Sequence, residues 1–388
     1  MLTQAERRRS LVAAIACVAV FGLSIGEGGP LLSLLLEARG TNAAITGLNA
    51  GAAFIGVLVG PMLTPRWLLR FGIRSLLVTC FALDIVTFLM LKVFDGLAAW
   101  FVLRVLLGLI GSTLFTTSEA WISLLAGDTA RGRIIGIYAA ALSVGFGLGP
   151  LLLSITGIEG WPPFVLNGVI VASSAIPVLL VGDLARGLGQ ERAGNPLAFF
   201  ARAPLIVFAV AVFGVYETAL LTLLPIWGVR VGLGTSVAAG TLSAVYFGAI
   251  VLQVPIGWLS DHMDRLAALR LCGVVGVVGA VLLIAGGTWL PVLFGLLFVW
   301  GGIVSGIYPV ALGMAGDRFS GSDMVAANAA IIMAYGLGSL VGPALGGSAM
   351  DLWDPEGLFV VFAVLFGGFL VASLAPWSRG RGGTGHRV

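Results

Sequence analysis

Long apolar runs separated by short polar stretches dominate the chain. Twelve runs are close to the length of about 20 residues that crosses roughly 30 Å of hydrocarbon as an α-helix. They cover residues 11–34, 43–63, 75–93, 97–118, 134–155, 163–181, 204–226, 235–258, 268–287, 290–313, 326–347 and 357–375. Because each run is continuous and lacks the two-residue alternation of a barrel strand, the pattern predicts an all-α integral membrane protein with twelve transmembrane helices.

The longest hydrophilic stretch divides the runs into two groups of six. We predict an N-terminal six-helix bundle over residues 1–181, a cytoplasmic linker over 182–203 and a C-terminal six-helix bundle over 204–388. Short matches relate the two groups at a nearly constant offset, in an order that chance similarity of Gly and Ala does not explain. They pair residues 20–22 with 212–214, Gly40 with Gly232, Gly56 with Gly248, 126–128 with 315–317, and 149–150 with 342–343. The repeat predicts two pseudo-symmetric bundles with a substrate site between them near the midplane.

The basic residues predict the orientation. With twelve spans and a cytoplasmic N-terminus, 17 of the 21 Lys and Arg residues fall in the cytoplasmic loops and ends. Only Arg39, Lys92 and Arg230 fall outside, and Arg104 lies within a span. This positive-inside bias predicts a multi-pass protein of the cell (inner) membrane with both termini cytoplasmic.

The composition restricts the possible functions. Hydrophobic residues make up 59% of the chain and charged residues only 10%, which excludes a water-soluble domain. The arginines that give the formal charge of +3 are spread along the chain, so no nucleic-acid partner is expected. The chain has no Walker A sequence, no CxxC pair and no catalytic constellation, so we expect no enzyme activity, no cofactor and no metal.

Several stretches resemble the motifs of a transporter family. Residues 257–265 keep the Gly, Asp and Arg of the pattern G-x-x-x-D-(R/K)-x-G-(R/K), with Asp264 in place of its second Gly. The copy at 65–74 keeps Arg70, Gly72 and Arg74 but has Leu69 in place of the Asp. The fourth span contains an R-x-x-x-G motif at 104–108, and the pattern G-x-x-x-G-P-x-x-G-G is complete at 338–347 and partial at 145–154.

On these motifs the chain resembles the major facilitator superfamily, in particular its drug/proton antiporter-like branch. The resemblance implies a cavity-facing Arg104 associated with proton coupling. It also implies a cytoplasmic gate and a hinge in each half. The gate residues would be Asp261, Arg265, Arg70, Arg74 and Glu119, and the hinge residues Gly149, Pro150, Gly342 and Pro343. Alternatively, the arginines of the first half only fix the topology, and Glu119 is a solvated surface charge.

Four ionisable residues fall inside predicted spans, where each is costly and therefore a functional candidate: Glu27, Asp84, Arg104 and Glu217. Glu27 and Arg104 lie at similar depth, and we hypothesise that they pair and that Glu27 binds the coupling proton. A static ion pair is the alternative. We expect Glu217, with Tyr216 beside it, to line the cavity; the alternative is burial by hydrogen bonds to neighbouring helices. For Asp84, a cavity candidate, a structural hydrogen bond is the favoured role.

These features together predict a secondary active transporter that moves a small solute by alternating access. We expect it to be a monomer in contact with lipids, to be coupled to protons and to export amphipathic compounds, because the spans hold many Phe, Trp and Gly residues and few carboxamides. The alternatives are a proton symporter for an organic acid or sugar, with Arg104 binding the anion, and a membrane sensor or assembly partner that transports nothing.

Overall fold

The structure, a computed structural model, describes residues 4–125, 131–179, 196–285, 289–319 and 321–375. These residues form thirteen α-helices and contain no β-strand. The helices are α1 (Gln4–Ala38), α2 (Ala43–Val93), α3 (Leu97–Leu125), α4 (Arg131–Thr156), α5 (Pro162–Leu179), α6 (Pro196–Arg202), α7 (Pro204–Arg230), α8 (Thr235–His262), α9 (Arg265–Ala285), α10 (Leu290–Val304), α11 (Ile307–Arg318), α12 (Gly321–Leu352) and α13 (Gly357–Leu374).

Eleven helical segments of the described chain are long and apolar enough to cross a membrane, and α2 accounts for two crossings. At 51 residues α2 holds the second and third predicted spans, and its backbone leaves the helical region at Gly72, where φ is 76°. Glycine adopts this conformation readily because it has no Cβ. The tenth predicted span is divided into α10 and α11 at Ser305 and Gly306. The twelve-helix, all-α membrane fold is therefore confirmed.

Part of the predicted linker forms a helix. Residues 196–202 of that stretch make up the short helix α6, whereas residues 182–195 lie outside the described part of the chain. Residues 126–128, which the sequence repeat pairs with 315–317, also lie outside the described part of the chain.

Equivalent helices pair in the same way in the two halves. In the first half α1 packs on α4 and α2 on α3, and in the second α7 packs on α12 and α8 on α10. Glycines let these backbones approach closely. Gly145 of α4 lies against α1 at Ala19, and Gly338 of α12 lies against α7 at Ala211.

The short sequence matches occupy equivalent places in the two halves. Gly56 lies against the backbone of α3, and its match Gly248 lies against the backbone of α10. Gly40 and Gly232, which follow α1 and α7, both have positive φ, at 73° and 88°. The predicted pseudo-symmetry of the two bundles is thus present in the packing of the helices.

The most extensive contacts between the halves are those of α2 with α12 and of α4 with α8. Gly47 of α2 lies against the backbone at Pro343, and Gly347 of α12 lies against the backbone at Ala43. In the other pair, the rings of Phe146 and Tyr246 are stacked, with centroids 5.5 Å apart. The candidate site lies in the space enclosed by these contacts and by α1, α3 and α7.

Candidate functional site

A cavity of about 160 Å³ is lined by residues of α1, α2, α3, α5 and α7, so it reaches helices of both halves. Its wall is mainly apolar. The large apolar side chains include Phe21, Phe54, Phe81, Phe88, Leu107 and Leu221, and the polar ones are Ser24, Asp84, Arg104, Ser112, Thr218 and Thr222. Two of the four ionisable residues predicted within spans therefore line this cavity, one of each sign.

Arg104 is held in the cavity wall by an asparagine. Its side chain is buried, and its Nε donates a hydrogen bond to Oδ1 of Asn49 on α2 at 3.2 Å. The Nη2 atom of Arg104 and the Nδ2 atom of Asn49 are buried and have no hydrogen-bond partner. The guanidinium is thus oriented by one bond and keeps hydrogen-bonding capacity.

Asp84 does not have the environment that was favoured for it. It lies half-buried in α2 between Phe81 and Phe88, and these three residues share the helix face that lines the cavity. Asp84 forms no hydrogen bond or ion pair with any residue that the structure describes. The structural hydrogen bond expected for it is therefore wrong.

Glu27 faces α5. It is fully buried, and its Oε2 accepts a hydrogen bond from Nδ2 of Asn167 at 3.2 Å. Ser24 fixes that amide by donating to its Oδ1 at 3.1 Å. The other carboxylate oxygen of Glu27 is buried without a partner.

The hypothesised ion pair between Glu27 and Arg104 is not formed in this structure. The prediction rested on the similar depth of the two residues in the membrane. Depth does not determine direction, because consecutive residues of a helix point about 100° apart, at 3.6 residues per turn. Gly28 accordingly faces the cavity with Arg104, whereas Glu27 faces Asn167. Sequence reasoning missed Asn167, although an isolated carboxamide in an apolar span was a usable signal.

Glu217 is half-buried on α7, and its Oε2 accepts a hydrogen bond of 2.6 Å from the hydroxyl of Tyr335 on α12. Tyr335 belongs to a group of three rings with Phe213 and Tyr308, whose centroids lie 5.9–6.3 Å apart. Glu217 is therefore beside an aromatic group and does not line the cavity described above.

Tyr216 lies inside the second bundle. Its side chain is 1% exposed, and its ring meets those of Trp300 and Phe362 edge-on, with both centroid distances 5.3 Å. The prediction that Tyr216 lines the cavity is wrong, because aromatic side chains of the second bundle enclose its ring.

The residues assigned to a cytoplasmic gate form local contacts. Nε of Arg265 lies 2.8 Å from Oδ2 of Asp317, and Nη2 of Arg265 lies 3.7 Å from Oδ1 of Asp261, which joins α8, α9 and α11. Arg74 donates to the carbonyl of Leu179 at the end of α5, at 3.0 Å. Each of these contacts lies within one half.

The other two gate candidates form no ion pair with a residue that the structure describes. The guanidinium carbon of Arg70 lies 5.4 Å from the centroid of the Phe71 ring. Glu119 is exposed on α3. A gating role for the five residues stays a prediction.

The predicted hinge residues lie at close helix crossings. Gly149 contacts the backbone of α1 at Gly26 and Glu27, and Gly342 contacts the backbone of α7 at Val215. The prolines that follow them, Pro150 and Pro343, lie inside continuous helices. Their action as hinges stays a prediction.

A charged cluster that sequence reasoning missed joins the halves at the predicted outer ends of the helices. The guanidinium of Arg230 on α7 donates from Nε to one oxygen of Glu37 on α1 at 2.7 Å, and from Nη2 to the other at 3.0 Å. Its Nη1 donates to Asp354 at 2.8 Å. We call Arg230, Glu37, Asp351 and Asp354 the outer cluster.

Asp351 of the outer cluster forms a second link between the halves. Its two carboxylate oxygens accept hydrogen bonds from the backbone amides of Ala43 and Ala44, at 2.9 and 2.8 Å. These amides open the first turn of α2, where backbone donors have no partner within the helix and a negative charge is favourable. The cluster thus contacts α1, α2, α7 and α12 at one end of the molecule.

Comparison with known proteins establishes the family. The model of the Major Facilitator Superfamily matches residues 12–246 and 238–382. The chain belongs to this superfamily. A Bacillus subtilis (strain 168) protein named as the uncharacterized MFS-type transporter YfkF is 26% identical over 353 residues, which cover 89% of this chain and 90% of that protein. An uncharacterized MFS-type transporter of Yersinia pseudotuberculosis serotype O:3 (strain YPIII) is 26% identical over 347 residues and covers the same shares.

Solved structures share the fold. A mutant of the nucleoside transporter NupG superposes with a TM-score of 0.81 at 12% identity, covering 95% of this chain and 98% of that one. A bacterial homologue of the human lysosomal transporter Spinster, in an inward-facing and occupied conformation, gives 0.74 at 15% identity, with 96% of each chain covered. With the family match, the protein is a multi-pass membrane transporter of this superfamily, so the predicted membership of the superfamily and the predicted fold class are confirmed.

Proposed function

We propose that the protein is a proton-coupled secondary transporter that exports small amphipathic solutes by alternating access. The observation that carries the proposal is the cavity between the halves, which is apolar over most of its wall and charged at Asp84 and Arg104. Such a wall suits a solute with an apolar body and a charged or polar group.

Alternating access would be a rocking of two bundles, residues 1–181 and 204–388, joined by the cytoplasmic linker 182–203. The protein would act as a monomer in the cell membrane, with both termini in the cytoplasm. The pseudo-symmetric crossings of α1 with α4 and of α7 with α12 support this division, because each forms a closely packed unit.

Glu27 and Glu217 are the candidate proton sites. Each carboxylate is bonded to a neutral side chain, Asn167 or Tyr335, and has no ion pair with a described residue. A carboxylate that is not held by a fixed cation can gain or lose a proton without breaking a salt bridge, which is what coupling to a proton gradient requires.

A second candidate is import of an organic acid or another polar solute together with a proton. The buried Nη2 of Arg104, which has no partner, favours an anion. The structural neighbour NupG is named as a nucleoside transporter. A nucleoside or sugar needs several polar partners, and the cavity wall offers mainly hydroxyl groups beside its two charges.

Counterflow into proteoliposomes, measured for a chemically diverse panel of solutes with and without an imposed pH gradient, tests the proposal. We expect exchange of amphipathic solutes and an outward flux that is driven by protons moving inward. Exchange of organic acids or sugars alone would support the second candidate. Exchange of no solute by folded protein would refute transport and favour a sensor or assembly partner.

A further inference from the structure

The cavity presents two unpaired charges of opposite sign to the same small volume. We propose that it binds a zwitterionic solute with an apolar body, whose anionic group contacts Arg104 and whose cationic group contacts Asp84. This inference rests on the proposed transport function and specifies the class of solute.

The two charges lie at similar depth. At 1.5 Å per residue, Asp84 is about 14 Å from the end of α2 at Val93, and Arg104 is about 10 Å from the start of α3 at Leu97. These two helix ends adjoin each other in the chain. One small solute in the cavity can therefore reach both side chains without spanning the membrane.

Both side chains have bonding capacity left for a ligand. Arg104 is 8% exposed and uses Nε for Asn49, while its buried Nη2 has no partner. Asp84 lines the cavity and has no hydrogen bond or ion pair among the described residues. They form no ion pair with each other, and both line the same cavity, so both remain available to a ligand there.

The pair of charges discriminates between classes of solute. An anion alone would pair Arg104 and leave the carboxylate of Asp84 unpaired in an enclosed, mainly apolar space, and a cation alone would do the reverse. An unpaired charge that loses its water is costly, so the solute with both charges is favoured over either one. The rings of Phe21, Phe81 and Phe88 in the wall suit an apolar, aromatic body attached to the two charged groups.

Three probes with the same phenyl group separate these classes: phenylalanine, which is a zwitterion, 2-phenylethylamine, which is a cation, and 3-phenylpropionate, which is an anion. The measurement is the concentration of each probe that gives half of its maximal thermal stabilisation of the purified full-length protein. We expect this concentration to be about tenfold or more lower for phenylalanine than for either relative, since each lost charged hydrogen bond weakens binding by about that factor.

Variants assign the two contacts. Asp84→Asn should abolish the preference for phenylalanine over 3-phenylpropionate, and Arg104→Gln should abolish the preference over 2-phenylethylamine. Asp84→Glu keeps the charge and should keep the order of the probes. Asp95→Asn is the matched control, because that carboxylate is exposed at the outer end of the same region and pairs with Arg39.

The inference would be overturned if phenylalanine bound no more tightly than either relative, or if its preference over 3-phenylpropionate survived Asp84→Asn. Counterflow separates this failure from failure of the proposed function. If solutes of other classes exchange while the zwitterion is not preferred, transport stands and the zwitterion site is wrong. If no solute exchanges, transport itself is wrong, whatever the binding assay shows.

Discussion

Three of the four ionisable side chains within the predicted spans share one kind of environment, a hydrogen bond to a neutral side chain. Glu27 is bonded to an asparagine, Glu217 to a tyrosine and Arg104 to an asparagine. A neutral partner orients a charged group without fixing its charge, whereas a buried salt bridge would make neutralisation of one partner very costly. At the scale of the residue, these groups are therefore arranged so that each can change its partner or its proton.

The first prediction concerns Glu27. Glu27→Gln keeps the size of the side chain and a hydrogen bond to Asn167 but removes the group that binds a proton. We expect folded protein that loses solute movement driven by a pH gradient and retains solute exchange without one. The measurement is transport in proteoliposomes under both conditions.

The control for Glu27 is Glu159→Gln, which alters an exposed carboxylate in the connection between α4 and α5. It should retain dependence on the pH gradient, because Glu159 neither lines the cavity nor belongs to the outer cluster. A Glu27→Gln variant with unchanged coupling would show that the proton binds elsewhere.

The sequence identified the ionisable residues inside the spans but not their partners. Hydropathy alone shows that Glu27, Asp84, Arg104 and Glu217 lie in apolar runs. Which side chain each one meets depends on its direction around the helix axis, which changes by about 100° from one residue to the next. Sequence reasoning therefore placed Glu27 at the right depth on the wrong side of α1.

At the scale of the element, glycine determines how closely helices cross. Gly149 of α4 and Gly342 of α12 touch the backbones of α1 and α7. In a membrane, helix association depends on such close packing, since lipid tails are as apolar as the side chains. The G-x-x-x-G-P-x-x-G-G pattern predicts hinges at the same two crossings.

The second prediction concerns these crossings. A methyl group at Gly149 would collide with the backbone of α1, so Gly149→Ala should lower the free energy of unfolding by about 1–3 kcal/mol, the usual cost of overpacking. Gly342→Ala should act similarly because of the pseudo-symmetry. Thermal unfolding in detergent measures both effects.

The matched control for the glycine variants is Gly368→Ala in α13, where a Cβ atom would meet nothing within 4 Å. This substitution should leave the melting temperature unchanged or raise it slightly, because alanine favours helix more than glycine does. Equal loss of stability in all three variants would show that replacing any helical glycine has this effect. It would contradict the idea that Gly149 and Gly342 matter because two helices touch there.

The elements themselves were largely predictable. Apolar length identifies every membrane crossing, and the run boundaries agree with the helices to within several residues at most ends. The division of the tenth span at Ser305 and Gly306 was not predicted, since that run is as apolar as its neighbours. The second span also extends further than predicted, through Pro65 to the kink at Gly72, since a short polar stretch after an apolar run does not by itself end a helix.

At the scale of the whole molecule, the outer cluster joins the two halves. Arg230 belongs to the second half and Glu37 to the first, and their bidentate pair is 16% and 18% exposed, so it is partly shielded from water. Paired charges of this geometry are among the stronger polar contacts. We expect the cluster to hold the halves together at the predicted outer face.

The third prediction concerns the contact between the halves at the outer cluster. Arg230→Gln removes the pair with Glu37 and should increase the fraction of molecules that open outward. The reporter is a single cysteine at Leu221, which lines the cavity and contacts Gly29 across the halves, in a chain whose three buried cysteines are replaced. Labelling of intact cells with a membrane-impermeant maleimide should become several-fold faster.

Arg39→Gln is the control for the closure. It removes an ion pair with Asp95 at the same face, but both partners belong to the first half. Labelling at position 221 should therefore keep its original rate. Equal labelling of the Arg230→Gln and original chains would show that the outer cluster does not control opening.

The relative placement of the halves could not be predicted from the sequence. The repeat gives each bundle, and the basic residues predict its orientation, but contacts between bundles involve residues far apart in the chain, such as Arg230 and Glu37. The one available signal was that Arg230 is among only three basic residues predicted outside, a position that the positive-inside bias disfavours.

The carboxylate of Asp351 bonds the first amides of a helix in the opposite half, at Ala43 and Ala44. If the halves separate at this face, those amides lose the carboxylate and bond to water, so they become open to hydrogen exchange. Deuterium uptake at two backbone positions would then report how long the transporter spends open to the outside, without any label or ligand.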